Sequence, residues 1–502
     1  MTTFTRFMLA TVLGLVSLLS AYGTHLTAGY ISYAQDAADP TGKTYLFTLT
    51  LFRDTRGVDQ PAATLNFGDG TTTAVDVSFR GKADSNIGND IGLLKYEFKH
   101  VYAAAGSYTV AFTEENRNDG ILNMLNSVQT PFHIESQFTI NPVIGKNSSP
   151  VFTLPPIRMA EAGKAFVQNL AAVDPDGDSL AYQLITPFRS KNTPVDGYVP
   201  PNKVAPPLGT TEAGTGDATF TLNSITGEIR WDAPGAKRSF GGVIGGPDDF
   251  GFYVISYQVE EWRKGYKLGT VQADMLVVVT AAVTSGQQLA IESARNLGFN
   301  ESNQIKGLPG KPLTFSVRYK NTGGTNSTLK PGSELLSPSR NATVTVTDSA
   351  DSKKARFTWT PTEQDRRHHP YIIVFRGAVQ SPRRNELARD LTVSVFVGVD
   401  PVADKKQVES PTGPVTATEE WNREAMRVYP NPVTQLVRFT PRKQHAPVRL
   451  VLTDLTGKQC LIVNNLATID FTLDMTGFPA GMYLYSITSR NRLIGRGKLV
   501  KR

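Results

Sequence analysis

At 502 residues, with 43 Gly, 31 Pro and many Val, Thr, Phe and Tyr, the chain is too long for one core and favours strands and turns over helices. Its net charge of +7 sits at the end: residues 425–502 hold 12 Lys/Arg against 3 Asp/Glu and residues 24–424 hold 39 against 42, which excludes a nucleic-acid footprint on the working domains. A single cysteine, Cys460, excludes an intramolecular disulfide and leaves each domain to an ordinary core.

The opening MTTFTRFMLATVLGLVSLLSAYG puts Arg6 ahead of an apolar run from Phe7 to Leu19, with small residues at Ala21 and Gly23. This reads as a secretory signal over residues 1–23, too short and wrongly flanked to span a bilayer. No later apolar run approaches spanning length, so the mature chain is expected to have no transmembrane helix.

Residues 24–142 begin with a strand in YLFTLTLFRD. In FGDG, Asp69 and Gly70 suit a tight hairpin turn, and in GSYTVAF the alternation of Tyr108, Val110 and Phe112 with Thr109 and Ala111 predicts a strand packed on one face. The set Phe67, Gly68, Asp69, Gly70, His100, Tyr102, Gly106, Tyr108 and Val110 resembles the PKD domain, an Ig-like β-sandwich of extracellular proteins. A long spacer, RGKADSNIGNDIGLL, departs from that pattern.

Residues 143–280 carry AVDPDGDSLAY and, further on, TGEIRW, with a hairpin turn at Thr226-Gly227 and Trp231 on the following strand. Asp174, Asp176 and Asp178 fall at i, i+2 and i+4, and Pro175 and Gly177 bend the backbone so that hard oxygens could converge on Ca²⁺. The same carboxylates could instead accept backbone N–H groups in an Asx-turn. The loop is no EF-hand, since its twelfth position is Ile185. The order DPDGDxLxY then TGxxxW resembles the bacterial cadherin-like family, which implies an Ig-like sandwich and Ca²⁺ at a domain boundary.

Residues 281–399 contain clean period-2 strands. PLTFSVRYK places Leu313, Phe315, Val317 and Tyr319 on one face, and LTVSVFVGV does the same from Leu391 to Val399. Trp359-Thr-Pro361 echoes Trp231-Asp-Ala-Pro234, which suggests a weak tandem repeat. Residues 400–424, polar and without apolar period, read as an exposed linker.

Residues 425–502 read as a small β domain. Pro430 and Pro432 cannot donate to a ladder and so belong before or at the edge of its first strand. The pattern formed by Tyr429, Pro430, Asn431, Pro432, Asp454, Gly457, Lys458, Gly481, Tyr483, Ile487, Gly497, Lys498, Val500 and Lys501 resembles the type A C-terminal sorting domain of the type IX secretion system of Bacteroidota. That resemblance implies recognition by the outer-membrane translocon, cleavage of the domain, and release or attachment to surface lipopolysaccharide.

No catalytic set stands out: HExxH, G-x-S-x-G and a P-loop are all missing from the sequence. Glu114-Glu115 and Glu260-Glu261 lie on expected strands, where neighbours face opposite ways and cannot flank one bond. His368-His369 reads as a solvated turn, and His100 as structural. The long irregular stretch of residues 186–219 is the first place to seek a ligand. Together these features lead to an all-β chain of tandem Ig-like β-sandwich domains with a C-terminal sorting domain. The expected function is non-catalytic binding or adhesion to an unknown surface ligand, glycan or protein, outside the cell. The alternative is an accessory carbohydrate-binding component of a polysaccharide-degrading system.

Overall fold

The computed structural model describes residues 26–501 apart from 83–90, 143, 158, 205–208, 213, 236–249, 264, 281–285, 294–296, 322–324, 350–351, 381–385, 399–407, 410–425, 430–431, 442–447, 455–458, 467–470 and 490–491. The signal segment, most of the linker, and Pro430, Asn431, Gly457 and Lys458 therefore lie outside the described residues. Among the described residues the secondary structure is strand with a few short 3-10 turns, and the chain is an all-β protein of tandem sandwiches. It divides into two compact units, Met1–Thr412 and Gly413–Arg502.

In the first unit, the strand Thr44–Asp54 pairs with Leu26–Gln35 on one side and Ile91–Val101 on the other. Its alternation buries Tyr45, Phe47, Leu49 and Leu51 against Ile31, Tyr96 and Phe98. The hairpin Gly106–Glu114 and Phe132–Ile140 closes this core with Val110, Phe112, Ile134 and Phe138. The FGDG turn is held tightly. His100 stacks on Phe67 at 4.1 Å and its Nε2 lies 2.7 Å from Asp69, while Tyr102 donates to the Phe67 carbonyl. Gly68 has φ +82°, and a Cβ there would stand 2.4 Å from the Thr109 carbonyl oxygen.

The second core forms around a long hairpin, Phe250–Arg263 and Tyr266–Thr280, paired along its whole length. One edge of Tyr266–Thr280 serves that hairpin. Its other edge is shared in sequence by three segments: Phe132–Ile140 at Gly269 to Val271, Leu26–Gln35 at Asp274 and Met275, and Met159–Glu161 at Val278 to Thr280. The result is a single 14-stranded sheet that runs through both cores. Gly269 sits at the tightest point, where a Cβ would stand 2.3 Å from Tyr33 Oη and 2.5 Å from the Gln137 carbonyl oxygen. Further along the same strand Arg117 grips Asp274 with two 2.9 Å bonds, both side chains nearly fully buried, and also donates to the Pro131 and Phe188 carbonyls.

A third core lies between two four-stranded sheets, one containing Leu313–Lys320 and Ser352–Trp359 and the other Tyr371–Gln380 and Glu386–Val397. Leu313, Phe315, Val317 and Tyr319 all point inward, as their spacing predicts, and Trp231 and Trp359 are each buried at the centre of their own core. This sandwich meets the second core through another buried Arg–Asp pair. Arg376 binds Asp390 at 2.7 and 2.8 Å and donates to the Pro155 carbonyl, and Asp390 accepts from the Asn169 backbone N–H. Within the linker, Val408–Glu409 adds to the edge of Phe220–Leu222.

The second unit is a separate sandwich. A three-stranded sheet, Met426–Tyr429, Leu436–Pro441 and Phe471–Asp474, faces a four-stranded one made of Gln459–Leu466, Val448–Asp454, Gly481–Ser489 and Arg492–Lys501. Val437, Phe439, Leu450, Leu452, Tyr485 and Ile487 fill its core.

Replacing Asp274 by Asn strands the Arg117 charge in a dry site, and a broken buried pair costs about 3–5 kcal/mol. Urea melts of the purified chain should show that loss for D274N. The double variant R117M/D274L, which removes both charges, should recover most of it.

Candidate metal centre

The strand Ala172–Val173 ends at Asp174, the chain turns through Pro175 and Gly177, and Ser179–Ile185 leads away. Asp174 Oδ1 accepts the backbone N–H groups of Asp176 and Asp178, each at 2.9 Å, so the Asx-turn is present. That uses only one of its two carboxylate oxygens. Oδ2 is buried and has no hydrogen-bond partner.

A fourth carboxylate arrives from across the sheet. Glu261 lies opposite Leu180 on Phe250–Arg263 and is fully buried. One of its oxygens accepts from Asn147 Nδ2 at 2.9 Å and Tyr33 Oη at 3.3 Å, while Oε1 has no partner. Ligand oxygens of Asp174, Asp176, Asp178 and Glu261 all lie within 4.8 Å of one another. The nearby cation is Arg263, which binds Asp178 at 2.6 and 2.8 Å and ties down the connector through the Ile144 and Lys146 carbonyls and Asn147 Oδ1. The connector is also fixed by Ser148 N–H donating to Asp176 and by Ser149, which exchanges hydrogen bonds with the Tyr33 backbone. The cluster thus joins the first core, the connecting segment and the second core.

Four carboxylates against the Arg263 guanidinium leave a negative excess around the buried Asp174 and Glu261, with Asp178 half-buried and Asp176 exposed. Burial pushes the Glu261 carboxyl up to about 9, and the neighbouring Asp174 and Asp178 charges push the same way. Burial also raises Asp174 to about 6, against the backbone hydrogen bonds it accepts, with Asp178 and Asp176 adding repulsion. Two inward oxygens without donors, among four hard anionic groups, suit a hard divalent cation such as Ca²⁺ in donor type and charge.

The sequence pointed to Asp174, Asp176 and Asp178, and the fold brings them together. It missed Glu261, whose signal is a charge at an inward position of an otherwise apolar alternation, next to Val259 and Tyr257. Glu260 turns to the other side, to Lys267 and Trp262. His369 is half-buried and shares a hydrogen bond with Ser179, and burial lowers it to about 4, while His368 is exposed. Within the irregular stretch, Val204 is buried in the second core and Val195 packs with Ile121, Met124, Val254 and Leu276.

Among the sorting-pattern residues, the first and last fragments meet. Val433, next to the exposed Pro432, donates to the Val500 carbonyl at 2.8 Å and bridges Lys501. Gly481 pairs with Lys501, Tyr483 with both Asp454 and Leu499, and Tyr485 with Gly497, where a Cβ would collide with the Tyr485 hydroxyl. Tyr429 lies in the first strand of the domain, Ile487 is buried, and Lys498 is exposed.

Residues 427–502 match the family described as a secretion system C-terminal sorting domain. No curated protein matches the chain. Among solved structures it is similar to the N-terminal eight Ig domains of Down Syndrome Cell Adhesion Molecule, at 11% identity over 91% of this chain and 52% of that one, TM-score 0.19. It is also similar to extracellular cadherin domains 3–6 of Protocadherin Gamma B2, at 8% identity over 75% and 79%, TM-score 0.16. A third is the BSP domain of a biofilm associated protein, at 9% identity over 96% and 98%, TM-score 0.14. The chain therefore ends in a type IX sorting domain, which directs it to the cell surface or the extracellular space. No helix among the described residues is long and apolar enough to cross a membrane.

The raised carboxyls set a pH dependence for the metal-free protein. A group held above its ordinary value stabilises the fold below that value and loses the contribution as pH rises through the folded one. Thermal melts in chelator should therefore weaken from about pH 4 to pH 9. Glu261→Gln should flatten the upper part of that decline, and millimolar Ca²⁺ should raise the wild-type melting temperature most at the alkaline end.

Proposed function

We propose that this is a non-catalytic binding or adhesion protein, carried out of the cell by its sorting domain and stiffened by Ca²⁺ between its first two sandwiches. The observation that carries the reading is the pair of inward, donorless carboxylate oxygens on Asp174 and Glu261 at a junction that the connector, Tyr33 and Arg263 all share. A cation there would link the modules taken as residues 24–142 and 143–280 by ligand bonds as well as by the shared sheet. Asp174, Asp176, Asp178 and Glu261 would hold it, and it would supply charge neutralisation and rigidity with no reaction attached. The third module, residues 281–399, and the linker 400–424 complete the exported part. The route is removal of residues 1–23, passage through the type IX translocon, and loss of residues 425–502 at the surface. The three modules, the linker and the sorting domain account for the chain's length, which supports a binding role over a catalytic one.

Two experiments test this. Deleting residues 425–502 should leave the protein in the periplasm, and unchanged export would refute the sorting role. Cells displaying the full chain should attach to protein- or glycan-coated surfaces in Ca²⁺, and chelator or the D174N/E261Q variant should reduce attachment without reducing display. Equal attachment by the variant would remove the calcium part of the reading.

A further inference from the structure

In the sorting domain, the alternation along Gly481–Ser489 sends Tyr483, Tyr485 and Ile487 into the core and leaves Met482 and Leu484 facing outward, 39% and 41% exposed. The register builds these two into a patch. Met482 lies opposite the half-buried Val500, and Leu484 lies between Lys498 on one neighbour and Thr453 on the other. Val451, also half-buried, extends the patch beside Ser486, and the exposed Arg449 and Lys498 stand at its margins. The Val433–Val500 hydrogen bond pins the last strand in this register, so the motif's two ends together fix where Val500 stands.

The outer face of the opposing sheet differs. Arg438, Thr472 and Asp474 line it with Leu436, 54% exposed, as the large apolar side chain. Apolar side chains on adjacent strands of a solvent face, set among cations, mark a protein contact more than a stray exposure. The charge supports the same partner. This segment holds 12 Lys/Arg against 3 Asp/Glu, while the body it delivers is slightly acidic, so the positive excess belongs to the part that has to be read.

We propose that the sorting domain is recognised through this face: Met482 and Leu484, with Val451 and Val500, dock on an apolar surface of the secretion machinery whose margin is acidic and meets Arg449 and Lys498. The inference rests on the sorting role itself but is separable from it, since deleting the domain tests the role and point changes on one face test the surface.

The test uses the full chain expressed in its secreting cell. Met482→Thr with Leu484→Thr keeps β-favouring residues at outward positions. It should cut the surface-delivered fraction about tenfold and leave tailed precursor in the periplasm, whereas Leu436→Thr on the opposite sheet should deliver normally. Arg449→Glu with Lys498→Glu, which removes no apolar contact, should also reduce delivery. Each purified precursor is melted to confirm that the domain is folded. Normal delivery of the folded M482T/L484T or R449E/K498E variant would overturn the proposal, as would equal loss in L436T. Sedimentation of the wild-type precursor adds a further arm: a dimer that M482T/L484T dissolves would assign the face to self-association and overturn it as well.

Discussion

The strand Tyr266–Thr280 has a buried edge, and buried backbone donors and acceptors must be paired. Three segments from distant parts of the chain satisfy that edge in turn, which makes one sheet out of what would otherwise be two adjoining sandwiches. The other junction features follow from that constraint. Gly269 is needed because two strands and a tyrosine crowd one point. Farther along the strand, beside Leu26–Gln35, Arg117 and Asp274 neutralise each other because neither could be buried alone. Glu261 is carried inward by the alternation it shares with Tyr257 and Val259, on the hairpin partner of the shared strand.

The acid cluster takes its character from the same hairpin. An Asx-turn alone would use the loop's carboxylates on its own backbone, and Asp174 Oδ1 does this. The arrival of Glu261, already engaged by Asn147 and Tyr33 on one oxygen only, converts a self-satisfied loop into a site with a charge deficit. The second junction is built without such a deficit: Arg376 and Asp390 satisfy each other and the backbone of Asn169. One interface is thus closed by its own charges, and the other keeps two buried carboxylate oxygens without donors.

Much of the local architecture was legible in the sequence, because period-2 alternation reports one buried face directly. Leu313 to Tyr319 and Tyr108 to Phe112 followed it, and the Phe67, Asp69, His100 and Tyr102 set assembled as a contact cluster. The sorting domain was legible because its pattern runs from its first strand, Met426–Tyr429, to its last, Arg492–Lys501. The site was half legible: the Asp spacing is local, but Glu261 joins it only through the pairing of Ser179–Ile185 with Phe250–Arg263. Registers between distant strands, and Arg–Asp partners 157 residues apart, leave no local periodicity to read. The edge pairing of Val408–Glu409, inside a segment whose composition reads as linker, belongs to the same class.

The sharing of one strand edge also bears on biogenesis. Leu26–Gln35 precedes its partner strand by far in chain order: Ala28 and Gly29 pair with Met275 and Asp274, more than 240 residues later. Until those arrive, the early strand presents an open, apolar edge, the kind that recruits foreign strands. Completion of the N-terminal module is therefore tied to synthesis of the second one. A chain truncated before Asp274 would lack that partner, leaving the N-terminal strand open to association with other chains.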